Sequence, residues 1–214
     1  MTADAEVKET ARVEAFSDGV FSIAITLLVL ELRVPSAGDL TSRGLSLGEA
    51  LLRQWPSFLG YVTSFATILV MWVNHHRLFT LIRRTSSLFL YLNGLLLLAV
   101  AFVPFPTAVL AAHLEDAGSR TAAAVYAGTF FAIAIFYNLL WRYASADNRL
   151  LGRSIRESDR DRITRRYRIG PTAYLIAFLL AFVSVPASVG LCAALALYFA
   201  SSGSRHGPEE DARP

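Results

Sequence analysis

The polar residues within the run RVEAFSDGVFSIAITLLVL, Arg12 to Leu30, pose the chemical question of this chain. Asp18 stands a turn inside a stretch apolar enough for lipid, with Ser17, Ser22 and Thr26 near it. An ionisable group at that depth is costly, and marks an ion path or a partner inside the protein. Trp72, Asn74, His75 and His76 end the second apolar block, and Asn93 lies early in the third. An indole N–H, an imidazole and a carboxamide can together satisfy a carboxylate without water. Asp18 therefore has two readings: a hydrogen-bond hub with Trp72, His75 and Asn93, or a direct contact for transported ions.

The adjacent pair His75-His76 diverges by about 100° on a helix, which prevents both rings from holding one ion without distortion. No HExxH or acid-rich motif accompanies them. Structural pairing is the main reading of the two histidines, with proton sensing and metal binding as alternatives; no metal site is expected. No GxSxG occurs, and no serine shares a span with a credible His and Asp. Neither catalysis nor a cofactor is expected.

The helix that carries Asp18 has two faces. At about 100° per residue, Leu27 and Leu30 fall within about 40° of Ile23, and Thr26 about 60° to one side. Gly19 and Phe16 continue that stripe, whereas Asp18 lies on the opposite side. Apolar residues at this spacing commonly just pack, so the stripe gains meaning only from the motif around it.

Composition identifies what surrounds this helix. The chain of 214 residues is 54% hydrophobic with a mean hydropathy of +0.45, and its apolar residues come in blocks. Blocks of about 20 such residues match a hydrocarbon core of about 30 Å. The pattern predicts an all-α integral membrane protein with six spans. These are Phe16–Val34, Trp55–Asn74, Leu88–Ala112, Thr121–Trp141, a fifth from Ile169 to near Ser184 and a sixth from near Pro186 to Ser201. The first block is too long for a signal h-region and lacks a small-x-small cleavage site, so it is read as a retained helix. Three segments follow: a cytoplasmic stretch 1–11, a transmembrane domain 12–201 and a disordered cytoplasmic tail 202–214.

With both ends inside, all of the 20 Lys and Arg except Arg33, Arg43, Arg53 and Arg120 fall on the inner side. That asymmetry predicts cytoplasmic termini. It also accounts for the net charge of +3 without a nucleic-acid partner. The segment Asp147 to Arg168 mixes both signs and is expected to continue as a helix past the membrane edge, as a solvated positive-inside loop or as a contact for a lipid headgroup or a regulator. The lone Cys192 excludes an intrachain disulfide and a Cys-based metal cluster.

The motif Arg12-x-x-x-Phe16-Ser17-Asp18, followed by Gly19-Val20-Phe21 and Ile23-Ala24-Ile25-Thr26-Leu27-Leu28, resembles the transmembrane protein 175 family of potassium channels. Trp72, Asn74, His75 and His76 support the likeness, as does the span count. The resemblance implies a homotetramer of six-helix subunits in the plasma membrane, with four first helices lining a central pore for K⁺. It implies a constriction of Ile23, Leu27 and Leu30 with Thr26 as a hydroxyl layer, and no carbonyl filter. It also places Phe16, Ser17 and Asp18 in an internal network with Arg12; Trp72, His75 and Asn93 are the inferred partners. A modestly selective, potassium-permeable cation channel is the leading expectation. A secondary transporter is the alternative, and would want inverted repeats and broken helices near the midplane. A membrane enzyme or a scaffold without transport has no supporting motif.

Overall fold

The computed structural model describes residues 3–152 and 155–204. Within them the chain is helical, joined by short turns and one isolated β-bridge. The helices are α1 (Ala3–Leu27, continued by a 3₁₀ turn Leu28–Glu31), α2 (Ala37–Arg43), α3 (Leu47–Arg53), α4 (Trp55–Leu81), α5 (Ser87–Phe102), α6 (Pro104–His113), α7 (Ser119–Ser145), α8 (Glu157–Leu180) and α9 (Val185–Ser204). Four stretches are long and apolar enough to cross a membrane: Thr10–Glu31, Trp55–Leu81, Ser87–His113 and Ser119–Asn148. The two remaining expected spans fall on α8 and α9. The first half of α8 is highly charged, with Glu157, Asp159 and Asp161 interleaved among its arginines, and the apolar part of α9, Val185–Ala200, is shorter than the other four.

The boundaries follow from local chemistry. Ser36 and Ser46 cap α2 and α3 by accepting from the amides of Asp39 and Glu49, and the Glu49 carboxylate accepts in turn from the Ser46 amide. These two short helices occupy a stretch expected only as a loop, although both Ser-x-x-acid signatures were present to be read. Pro56 sits in the first turn of α4, where its missing N–H costs nothing. The third expected span divides at Val103, because Pro104 and Pro106 offer no N–H to the preceding turn. Val103 itself keeps helical dihedrals, which makes this a local break rather than a reversal. The tail turns between Leu180 and Val185, and the Ser188 hydroxyl donates to the Ala177 carbonyl across that hairpin at 2.7 Å.

Three expectations at the chain's polar segments differ from what is found. α1 begins at Ala3, inside the segment expected to precede the membrane domain. The stretch from Asp147 does not run on as one helix: Asp147 and Asn148 adopt left-handed φ values of 52° and reverse the chain, and helix resumes only at Glu157. Asp and Asn tolerate that conformation better than most residues. α9 continues to Ser204, within the tail expected to be disordered, and residues 205–214 lie outside the described residues.

α7 is the central helix, packed on α8 along most of its length and touching α5, α6 and α9. Its small buried residues Ala122, Ala123 and Ala127 let neighbours approach closely, which matters where lipid supplies no hydrophobic drive between helices. Buried Gly60 does the same for α4 and α6: a Cβ there would lie 3.2 Å from Thr107 Cγ2. At one end of the bundle the α4–α5 and α7–α8 connections pair, with Arg83 N donating to Leu150 O at 2.9 Å and Gly152 N to Leu81 O at 3.2 Å. Arg83, Arg84, Arg149 and Arg156 make this the basic end.

Candidate functional site

The helical period sorts α1 as the wheel requires. Ser17, Phe21, Ala24 and Leu28 are buried against α4 and α5. The other face is uncovered: Phe16, Ile23, Leu27 and Leu30 are 66%, 60%, 41% and 70% exposed. Thr26 is exposed on the same side. Its hydroxyl donates to the Ile23 carbonyl at 2.9 Å, so only oxygen lone pairs remain to face outward. The helix tightens to 3₁₀ after Leu27, where residues three apart eclipse, so Leu30 stacks over Leu27. Ser22, four residues before Thr26, is also exposed. Sequence reasoning gave it no role, although its i,i+4 spacing to Thr26 extends the hydroxyl line.

The buried face ends in a hydrogen-bond chain whose direction is fixed at one terminus. A carbonyl cannot donate, so the Ser17 hydroxyl donates to Val13 O at 2.8 Å. Its oxygen accepts from Asn93 Nδ2 at 3.0 Å. The Asn93 oxygen must then face His75, whose Nε2–H donates to it at 2.9 Å. His75 is fully buried between Phe79, with ring centroids 4.5 Å apart, and Phe21 at 5.3 Å. In the neutral ring this leaves Nδ1 as an unpartnered acceptor.

Asp18 occupies a second, separate arrangement on the flank of α1. The Trp72 indole donates to its carboxylate at 2.8 Å. One turn away, His76 Nδ1 donates to Glu14 at 2.7 Å, and the Trp72 and His76 rings stack at 6.3 Å. Two acids at i,i+4 on α1 thus meet two aromatic donors at i,i+4 on the antiparallel α4. Sequence reasoning named Trp72 for Asp18 but omitted Glu14; the matched spacing was the signal that could have found it.

The residues expected in one network therefore divide. Ser17, Asn93 and His75 are joined, and Asp18 and Trp72 are joined. Arg12 and Phe16 stand apart from both: they are exposed, and among the described residues Arg12 makes no hydrogen bond or ion pair. Their spacing to Ile23 is the reason, since residues 12, 16 and 23 fall on one helical stripe, more than 90° from Ser17. The described residues contain no group of three His, Cys, Asp or Glu arranged to hold a metal ion.

A further buried chain clamps the break at Val103. Thr107 donates to Val103 O at 2.8 Å, so Ser64 donates to Thr107 at 2.8 Å and accepts from the Tyr126 hydroxyl at 3.1 Å. Polar groups from α4, α6 and α7 are thereby satisfied without water.

Comparison with known proteins places this architecture. Residues 12–104 match the family described as "Endosomal/lysosomal potassium channel TMEM175". A potassium channel of Chamaesiphon minutus is 56% identical over 195 residues, covering 91% of this chain and 95% of that protein. A potassium channel of Streptomyces collinus is 43% identical over 195 residues, covering 90% and 92%. The crystal structure of a lysosomal potassium-selective channel TMEM175 homologue from Chamaesiphon minutus superposes with a TM-score of 0.84 at 54% identity, over 92% of this chain and 99% of that one. With the Phe-Ser-Asp helix, the four long apolar helices and near full-length likeness to these channels, the chain belongs to the TMEM175 family of potassium channels.

Proposed function

We propose that the chain forms a potassium-permeable, modestly selective cation channel whose pore is lined by α1 from four copies. The uncovered face of α1 carries the reading. Only 22% of its most apolar stretch is buried within the protomer, against 44–50% for the other three long apolar stretches. That face runs the length of the span, and four copies of it around one axis form a conduit that a single subunit lacks. α8 and α9 complete six spans, and the basic end of the bundle faces the cytoplasm of the plasma membrane, where the positive-inside rule puts it.

Rings of Ile23, Leu27 and Leu30 then form an apolar constriction that gates by dewetting. The Thr26 oxygens, their protons committed to Ile23 carbonyls, offer acceptors that replace part of an ion's lost hydration. Potassium sheds water at lower cost than sodium, so the preference is real but weaker than that of a carbonyl cage. Asp18 and Ser17 set the pose of α1 from the buried side. K⁺ is the permeant ion rather than a cofactor.

The test is the reversal potential of the purified protein in planar bilayers under a potassium–sodium gradient. Potassium should be preferred, and Ile23→Asn should move the reversal potential toward zero or raise the leak by wetting the constriction. Absence of flux from purified tetramers, with the membrane potential set to favour it, refutes the reading. Strict dependence on a proton or sodium gradient would instead identify a transporter.

A further inference from the structure

The uncovered stripe of α1 does not stop at Phe16. At about 100° per residue and with Arg12 set at zero, Phe16 falls near 40°, Ile23 near 20° and Leu30 at zero. Arg12 therefore leads the same stripe, one turn before Phe16 and about 17 Å before Ile23 at ~1.5 Å per residue. Glu14 meets His76 near the end of α4, which puts Arg12 at the basic end of the bundle.

The charge of Arg12 is not neutralised within the subunit. The residue is exposed and makes no hydrogen bond or ion pair among the described residues. The two acids that follow it on α1 are turned away and already engaged. Glu14, about 160° from Arg12 on the helix, accepts from His76 at 2.7 Å. Asp18, about 120° away, accepts from Trp72 at 2.8 Å. The preceding turn adds no net charge, because Lys8 and Glu9, on either side of the stripe, carry opposite signs. The far end of the span has no counterpart: Glu31 and Arg33 offset each other just past Leu30. The exposed stripe thus ends in one uncompensated positive charge, on one side only.

We infer that Arg12 is the rectifying residue of the channel: four copies ring the cytoplasmic mouth of the pore and deplete permeant cations there. This assignment rests on the four-copy pore and the inward-facing basic end proposed above, which together turn the stripe toward one axis. A guanidinium stays charged at any working pH, so the ring is a fixed charge and not a switch. Four unit charges about one Debye length from the axis, ~8 Å at physiological ionic strength, lower a monovalent cation's concentration on the axis roughly threefold. At 1 M salt the Debye length is about 3 Å and the depletion nearly vanishes. Cations leaving the cytoplasm are drawn from the depleted pool, whereas cations entering from outside are not. The constriction therefore sets which ion crosses, and Arg12 sets how readily it is supplied from the inner side. An arginine that only oriented the helix by the positive-inside rule would act from any azimuth and leave no such asymmetry.

The test compares currents of the full chain in inside-out membrane patches, which fix the cytoplasmic side, with equal KCl on both faces. Near physiological ionic strength the wild type should pass about threefold less outward than inward current at matched voltages, and nearly equal currents in 1 M KCl. Arg12→Gln should remove the asymmetry, Arg12→Lys should keep it, and Arg12→Glu should invert it by collecting cations at the same mouth. The reversal potential under a potassium–sodium gradient should stay at the wild-type value in all three, because the constriction is untouched. Arg12→Cys adds a readout on a single folded protein, since the native Cys192 is buried at 1% exposure. A cationic methanethiosulfonate from the cytoplasmic side should restore its asymmetry, and an anionic one should invert it. A potassium current whose asymmetry survives Arg12→Gln and Arg12→Glu, persists in 1 M KCl, or ignores both reagents overturns this assignment and leaves the channel reading standing. Absence of any wild-type potassium current overturns both.

Discussion

Replacing Asn93 by Leu tests the reasoning about the buried chain. Asn93 is 2% exposed, and its carboxamide links Ser17 to His75. Leucine keeps the branched outline with the same number of side-chain heavy atoms, is somewhat larger, and removes both bonds. Ser17 loses little, because its own proton still goes to Val13 O. His75 loses more: its Nε2–H becomes a buried donor without an acceptor. Such a group costs about 1–3 kcal/mol in a soluble protein. Interhelical bonds in membranes average ~0.6 and reach ~1.7 kcal/mol, because the unfolded chain in lipid also finds partners. The expected loss is therefore about 1–2 kcal/mol, a fall in melting temperature of roughly 3–6 °C for a protein this size. His75→Phe alone should cost a similar amount by orphaning the Asn93 oxygen. The double variant should recover most of it, because phenylalanine keeps the stack on Phe79 and leaves no donor, and the Nδ1 acceptor was already unpartnered. Equilibrium unfolding in mixed detergent micelles provides the four stabilities of the cycle. If the two losses simply add, or if Asn93→Leu is silent, the directed chain from His75 to Val13 is wrong.

Two further outcomes follow from packing and charge. Gly60→Ala places a methyl 3.2 Å from Thr107 Cγ2 and should destabilise the α4–α6 contact by about 1 kcal/mol. Thr107→Ser removes the offending methyl but keeps the hydroxyl chain, and should restore most of the loss in the same unfolding assay. In the α6–α7 turn, the His113 imidazole and the Gly118 amide hold the Asp116 carboxyl below its ordinary pKa of 3.8. A depressed pKa means that this stabilisation is present above 3.8 and disappears as pH falls through the lower folded value. Hydrogen exchange at the Gly118 amide should accelerate across that window in the wild type, whereas Asp116→Asn should show no such step.

Local pattern was enough for much of the first helix. The 3.6-residue period alone assigns Phe16, Ile23, Thr26, Leu27 and Leu30 to one stripe and Ser17 to another, because a side chain's direction on a helix depends only on its place in the turn. The same holds for the span blocks, the proline break at Val103 and the turn before Pro186. The serine cap of α2 and the capping box of α3 are equally local signals.

What the period could not settle is what each stripe meets. Asp18 and Asn93 were candidates for one network because both lie at a similar depth, yet depth does not specify azimuth. Only the rotation of α4 and α5 about their own axes delivers Trp72 to Asp18, His76 to Glu14, and Asn93 with His75 to Ser17. Those rotations depend on the small residues that let α7 and its neighbours close together, and on Gly60 against Thr107. The composition and period of the chain thus determine that α1 has an oily face and a polar flank. The packing of the other helices decides that the flank is bound within the subunit and that the oily face is left uncovered.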